Sequence, residues 1–147
     1  MKQLKAYKRA VTRPVQQATD VTLGRTMGWV SLAIGLTEIA AAQPLQRLMG
    51  LKDKPQHLGI LRVLGAREIL HGVDLLSHRD PTPGLWSRVA GDALDGVMLG
   101  VAATKTKRPA GLAAVAAMVL PVVVADVVLA LRLTKQPPPA KARRWFW

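Results

Sequence analysis

Residues 110–131 read AGLAAVAAMVLPVVVADVVLAL, in which Asp126 is the one charged residue and Pro121 the one proline. A helix of roughly 20 apolar residues matches the thickness of the hydrocarbon core of a bilayer. Pro121 has no backbone N–H, so we expect the helix to kink near this position. This stretch therefore predicts a transmembrane helix, near residues 110–132.

Three further apolar segments precede it, near residues 23–43, 58–77 and 85–104. The segments are separated by Pro44 and the run LKDKPQH, then by HRDPTPG, then by KTKRP, all of which interrupt helices. Segment 58–77 is the least apolar of the four, so an interfacial or re-entrant placement stays open for it. The pattern predicts an all-α protein, a four-transmembrane-helix bundle over residues 23–133.

Both ends of the chain are basic. Residues 1–22 form an N-terminal arm in which Leu4, Tyr7 and Val11 recur at helical spacing, which fits either an amphipathic helix at the membrane surface or a solvated tail. Residues 134–147 form a tail rich in proline, arginine and tryptophan, suited to the headgroup boundary. Small residues at 40–42 resemble a signal-peptide cleavage site, but three more apolar segments follow, and we expect no cleavage.

The charges are segregated along the chain. Of 21 Lys and Arg residues, 18 lie in the tails and connections when Arg25 and Arg132, at the outer ends of their segments, are counted with the flanking tails, whereas six of the 9 Asp and Glu residues lie in the apolar segments. A basic exterior around an apolar, net-acidic interior predicts a bilayer with anionic headgroups as the partner, and argues against nucleic acid. The chain has no cysteine, which excludes disulfides, thiolate metal sites and cysteine nucleophiles.

The charge of the connections predicts an orientation. The N-terminal side, the second connection and the C-terminal tail together carry twelve Lys and Arg residues, and the first and third connections carry six. Because the more basic side of a membrane protein faces the cytoplasm, both termini are expected there.

Glycines recur at helical spacing within three segments, and such small residues let neighbouring helices approach closely. The predicted packing residues are Gly24, Gly28, Gly35, Gly65, Gly72, Gly96 and Gly100. The motif G-x-x-E-I occurs at residues 35–39 and again at 65–69, a weak sign of an inverted repeat.

Ionisable residues concentrate at bilayer depth, and they should point inward and pair, because an unpaired charge in lipid is costly. The predicted polar network consists of Glu38, Arg67, Glu68, His71, Arg88, Asp92, Asp95 and Asp126. The arginines of this set cannot neutralise all of its acids, so some acids must be protonated, bind a cation or reach water.

Three interpretations of the surplus acids stay open. In the first, the network is purely structural, with the surplus carboxyls held neutral. Alternatively, the acids form a proton or ion path or a small-molecule pocket. A third possibility is a metal site on Glu68-x-x-His71, a single motif of a kind that di-iron four-helix proteins use in pairs.

Three stretches, GWVSLAIGLTE, RVLGAREILHG and WSRVAGDALDG, resemble small bacterial integral membrane proteins, some of which are fused or adjacent to START-like cyclase/dehydrase domains. The resemblance covers roughly residues 24–104. It rests on Gly28, Trp29, Gly35, Glu38, Arg62, Gly65, Arg67, Glu68, Gly72, Trp86, Arg88, Gly91, Asp92 and Asp95. It implies a bacterial inner-membrane protein without an established activity, and any START-like partner would be a separate chain.

The leading expectation is an accessory or scaffold membrane protein, possible as a homo-oligomer or within a larger membrane complex. The alternative is a small carrier or a proton or ion relay. No nucleophile-with-base arrangement or phosphate-binding loop is present in the sequence, so we expect no enzyme, no cofactor and no resident metal.

Overall fold

The structure, a computed structural model, describes residues 2–52, 54–105 and 109–136, without the side chains of 2–11, 13, 102, 105 and 109. The described residues form five helices and no strands: α1 Lys2–Ala40, α2 Ala42–Leu48, α3 Pro55–Ser77, α4 Thr82–Lys105 and α5 Pro109–Thr134. The all-α prediction is confirmed. Most of the predicted C-terminal tail and of the third connection lies outside the described residues, and so do all the basic side chains of the arm over residues 1–22.

Helix α1 runs without interruption across the predicted boundary between the arm and the first span, and Pro14 lies inside it. It ends at Ala40, four residues before the predicted stop at Pro44. Pro44 lies instead in the first turn of the short helix α2, where a backbone N–H has no partner within the helix. The missing donor of proline therefore costs little at this position.

The four long helices form an antiparallel bundle with two distinct ends. At one end, Asp20 of α1 accepts a hydrogen bond from Gln136, just beyond α5, and Gly24 lies against Pro81 in the α3–α4 connection. We call this the terminal end. At the other end, which we call the α2 end, Gly111 of α5 lies against the backbone of Leu48.

Helices α1 and α3 form the closest pair, and glycines set their separation. A Cβ atom on Gly35 would lie 2.5 Å from the carbonyl oxygen of Gly65, and one on Gly65 would lie 2.7 Å from that of Gly35. Gly28 and Gly72 face each other in the same way, seven residues closer to the terminal end on each helix. The backbones of the two helices therefore touch, and the two copies of G-x-x-E-I meet at their glycines.

Helices α4 and α5 pack more loosely towards the α2 end. A Cβ atom on Gly96 or Gly100 would meet nothing within 4 Å, so these two residues, expected in a packing face, do not face another of the described helices. From residue 89 to 125, Leu112 is the one buried side chain among those described. The predicted packing role of the α4 glycines is therefore absent from the single chain.

The terminal end holds an apolar core. Its buried members come from α3, α4 and α5, and residues of α1 and α4 pack against them. The buried members are Leu75, Leu85, Leu129, Ala130 and Leu133, and the flanking residues are Val21, Met27 and Val89. This core closes the bundle at the end where the connection between α3 and α4 lies.

Only one of the described helices could cross a membrane by length and composition alone, the α5 stretch Ala110–Thr134. The expected four spans are not supported by this criterion. Helices α3 and α4 contain several charged residues each, and these lower their hydropathy whether or not the charges are paired. A candidate span in α5 is weakly consistent with membrane association.

The glycine contacts predict a difference between substitutions of the same type. Gly35→Ala should lower the free energy of unfolding by roughly 1–3 kcal/mol, because the new methyl group would collide with the backbone of Gly65 and Ile69 and with the Ile69 side chain. Denaturant titration of the purified protein in mixed micelles measures the change.

Gly100→Ala is the matched control, since it makes the same change within a helix and meets no neighbour. It should leave stability unchanged or raise it by up to about 1 kcal/mol, the helix-propensity gain of alanine. Equal losses in both variants would contradict the proposed role of the Gly35–Gly65 contact.

Candidate functional site

Arg88 of α4 is the most deeply buried cation among the described side chains, at 1% exposure. Its Nε and Nη2 atoms donate to Oδ2 of Asp126 on α5, at 2.9 and 2.8 Å. Its Nη1 atom donates to Oε2 of Glu68 on α3, at 3.0 Å. A buried cation is stable when it is both paired and hydrogen-bonded, and Arg88 meets both conditions across two neighbouring helices.

Glu68 is the branch point of the network. Besides the bond from Arg88, its Oε2 atom accepts a hydrogen bond of 2.8 Å from the hydroxyl of Ser31 on α1. Its other oxygen, Oε1, lies 3.4 Å from Nη2 of Arg67. Both Ser31 and Glu68 are buried, because the glycine crossing brings α1 and α3 close enough for their side chains to meet.

Arg67 extends the network to a second acid of α4. Its Nη1 and Nη2 atoms donate to the two oxygens of Asp95, at 3.0 and 2.5 Å. This two-pronged contact is the geometry in which a guanidinium group binds a carboxylate most strongly. Gly91 lies beside the Arg67 guanidinium, and a Cβ atom there would come within 3.2 Å of it.

The contacts form one continuous chain, Asp126–Arg88–Glu68–Arg67–Asp95, with Ser31 attached at Glu68. It connects α1, α3, α4 and α5. We call these six residues the interhelix network. Two arginines and three acids leave it one negative charge in excess when all five groups are ionised.

Two other predicted acids lie beside the network without joining it. Oε2 of Glu38 and Oδ2 of Asp92 are buried and have no hydrogen-bond partner among the described residues. Oδ1 of Asp126 is in the same state, since both bonds from Arg88 go to Oδ2. The carboxylate oxygens that the two arginines leave without a partner therefore belong to Glu38, Asp92 and Asp126.

His71 is half-buried and close enough to Glu68 and Asp126 to interact with both electrostatically. The described residues contain no group of three or more His, Asp or Glu side chains that could hold a metal ion. The Glu68-x-x-His71 motif consequently lacks further ligands in the part of the chain that is described, and Glu68 itself binds Arg88 and Ser31.

Three buried polar residues were not expected from the sequence. Ser31 lies at the helical spacing of the α1 glycines, and Asp20 lies within the basic N-terminal arm, yet Asp20 is 2% exposed and accepts a hydrogen bond of 2.6 Å from Gln136. Gln46 of α2 is fully buried and donates to the carbonyl of Lys52. Of the three, only Ser31 has a sequence pattern that indicates burial, because it recurs with the glycines of α1. The Asp20–Gln136 contact joins residues distant in sequence, and the Gln46–Lys52 contact depends on the conformation of a loop.

Comparison of the chain with protein-family models, with curated proteins and with solved structures found no match.

Removing Arg88 should be the most damaging single change in the network. Arg88→Gln leaves Asp126 and Glu68 buried without their shared cation, and breaking such a pair costs about 3–5 kcal/mol of unfolding free energy. The same titration in mixed micelles measures the loss.

Arg62→Gln on the exposed surface of α3 is the control and should change stability by no more than about 0.5 kcal/mol. The double variant Arg88→Gln, Asp126→Asn should recover part of the loss, because it removes the stranded negative charge. A double variant that is less stable than Arg88→Gln would show that the Arg88–Asp126 contact does not account for the effect.

Proposed function

We propose that this chain is a multi-pass integral membrane protein in which α1, α3, α4 and α5 each cross the bilayer, and that it acts as an accessory or scaffold subunit. The observation that carries the proposal is the position of its charges. The interhelix network lies inside the bundle, while large apolar side chains cover the outside of all four long helices.

The exposed apolar residues support a lipid environment. They include Trp29 and Leu36 on α1, Val63 and Leu70 on α3, Leu94 and Val97 on α4, and Met118 and Leu120 on α5, each between 57 and 73% exposed. A protein in water buries such side chains, and a large apolar surface on a single chain marks a membrane or protein contact. Here the surface surrounds a charged interior.

Helix length supports the same placement. At about 1.5 Å per residue, the 23 residues of α3 and the 24 of α4 reach roughly 35 Å, enough to cross the hydrocarbon core. Their low hydropathy comes largely from residues that pair inside the bundle, and charges in membrane helices are tolerated when they face the interior. Such helices enter the bilayer together with the neighbouring helices that pair with their charges.

Arg62 is the main exception, since it lies on the exposed surface of α3. It follows the start of α3 by seven residues, or about 10 Å of helix. An arginine at this depth can extend its side chain to the headgroups. Its position is compatible with a span whose α2 end lies at the membrane surface.

A scaffold role follows from how the network is used. Arg67 and Arg88 bind acids of neighbouring helices, which fixes the rotation of each helix in the bundle. The open glycine surface at Gly96 and Gly100 suits assembly with another membrane subunit or with a second copy. The proposed location is a bacterial inner membrane containing anionic lipids, with both termini in the cytoplasm.

Single-cysteine labelling in membrane vesicles tests the placement, and the natural chain needs no cysteine removed first. Cysteine replaces Gln56, Ser77, Thr104 or Lys135, all exposed residues near helix ends, and a membrane-impermeant maleimide is added from one side. Four spans place positions 56 and 104 on one side and positions 77 and 135 on the other. The latter pair should face the cytoplasm.

The alternatives give different labelling patterns. If α5 alone crosses, positions 56, 77 and 104 share one side and position 135 is opposite. Val97→Cys is the control within a span: it is exposed on the isolated chain, but lipid should protect it from the reagent on both sides. Labelling of all five positions from the same side would exclude membrane insertion.

A further inference from the structure

Within the interhelix network, the exposed fraction of the charged side chains rises towards the α2 end. The side chains of Asp126 and Arg88 are 0 and 1% exposed, and that of Glu68 is 9% exposed. Those of Arg67 and Asp95 are 24 and 25% exposed. Along α4, Asp95 lies seven residues, or about 10 Å, closer to the α2 end than Arg88. Access to the network is therefore from this end.

The opposite side of the network is closed by the apolar core of the terminal end. Leu85 lies three residues before Arg88, and Leu129 three residues after Asp126, so that one turn of each helix separates the charges from this core. All five of its buried members are at most 6% exposed. None of the residues that form this layer has a polar side chain.

Towards the α2 end the buried apolar side chains described are more scattered, namely Ala42, Leu61 and Leu112. Between residues 89 and 125, in the parts of α4 and α5 nearer that end, Leu112 is the one buried side chain described. The network therefore has a continuous apolar layer on its terminal side and looser packing on its α2 side.

Glu38 and Asp92 lie beside this more loosely packed part, and each has a buried oxygen without a donor. The charged groups near Glu38 are Arg67 and Glu68 of α3 and Asp95 of α4. Those near Asp92 are Glu68 of α3, Asp126 of α5, and Arg88 and Asp95 of its own helix. Both arginines already bind other acids, so an ionised Glu38 or Asp92 would place charge on a buried oxygen to which no cation donates, which is costly.

We infer that the bundle is a proton-binding device loaded from the α2 end, in which the carboxyls of Glu38 and Asp92 hold the exchangeable protons. Each carboxylate takes one proton from hydronium, giving a neutral carboxylic acid and water, and returns it by the reverse step. The interhelix network stays ionised. Because the terminal end is closed, the proton enters and leaves on the same side, as in a sensor of the pH on that side.

Infrared spectroscopy of the full-length protein in phospholipid vesicles tests proton binding, because a protonated carboxyl group gives a C=O stretching band that a carboxylate lacks. The band should be present at neutral pH and disappear on alkalinisation. Glu38→Gln and Asp92→Asn should each remove part of it, and the double variant nearly all of it.

Asp74→Asn is the control: Asp74 is a partly exposed acid of α3 outside the interhelix network, and its loss should leave the band unchanged. An unchanged amide band in each variant shows that the helices are retained. The absence of a carboxyl band in the wild-type protein, or its persistence in the double variant, would overturn the inference.

Sidedness is tested in vesicles whose orientation is known from labelling of Ser77→Cys. The external pH is stepped under a buffer that does not cross the membrane, and the carboxyl band is followed before the gradient decays. The band should respond when the α2 end faces outward and stay constant in the opposite orientation. Equal responses, or a response from the terminal end alone, would refute one-sided loading.

The inference rests on the proposed four-span placement, and the two can fail separately. Four-span labelling without a carboxyl band leaves the scaffold proposal in place and removes proton binding. Labelling that excludes membrane insertion removes both.

Discussion

The guanidinium group of Arg88 is the constraint around which the interior is arranged. It is a permanent cation in a nearly unexposed position, so every neighbouring helix has to present an acceptor to it or keep its polar atoms away. Asp126 and Glu68 are those acceptors, and they come from the helices on either side. With these bonds made, rotation of α3 or α5 about its own axis would break a charged hydrogen bond.

The glycine crossing of α1 and α3 makes this arrangement possible. Side chains larger than hydrogen at Gly35 or Gly65 would push the two backbones apart. Ser31 would then no longer reach Glu68, whose position between two arginines depends on that neighbour as well. Backbone contact and the ionic contacts therefore support one another, although they arise from different residues and different physical forces.

Sequence patterns were sufficient for the helical class and for most residues of the interior, because apolar length, glycine spacing and buried charge each carry a direct physical meaning. They were insufficient where tertiary contacts decide. Nothing local distinguishes Gly100 from Gly35, although one is open and the other touches a backbone. Asp20 looked like part of a solvated arm, and only the arrival of Gln136 from the other end of the chain accounts for its burial. The end of α1 at Ala40 likewise lacks a proline or glycine signal.

The continuity of α1 has a mechanical consequence. Its 39 residues form a rod of roughly 58 Å, and the part before Asp20, about 27 Å, extends past the level at which Gln136 binds Asp20. If α1 pivots at the Gly28–Gly72 contact, a slight change in the angle between α1 and α3 moves the basic N-terminal tip, 26 residues away, several times further than it moves Gly35, seven residues away. Small rearrangements inside the bundle would thereby produce a larger displacement of the surface that contacts a partner at the N-terminal tip.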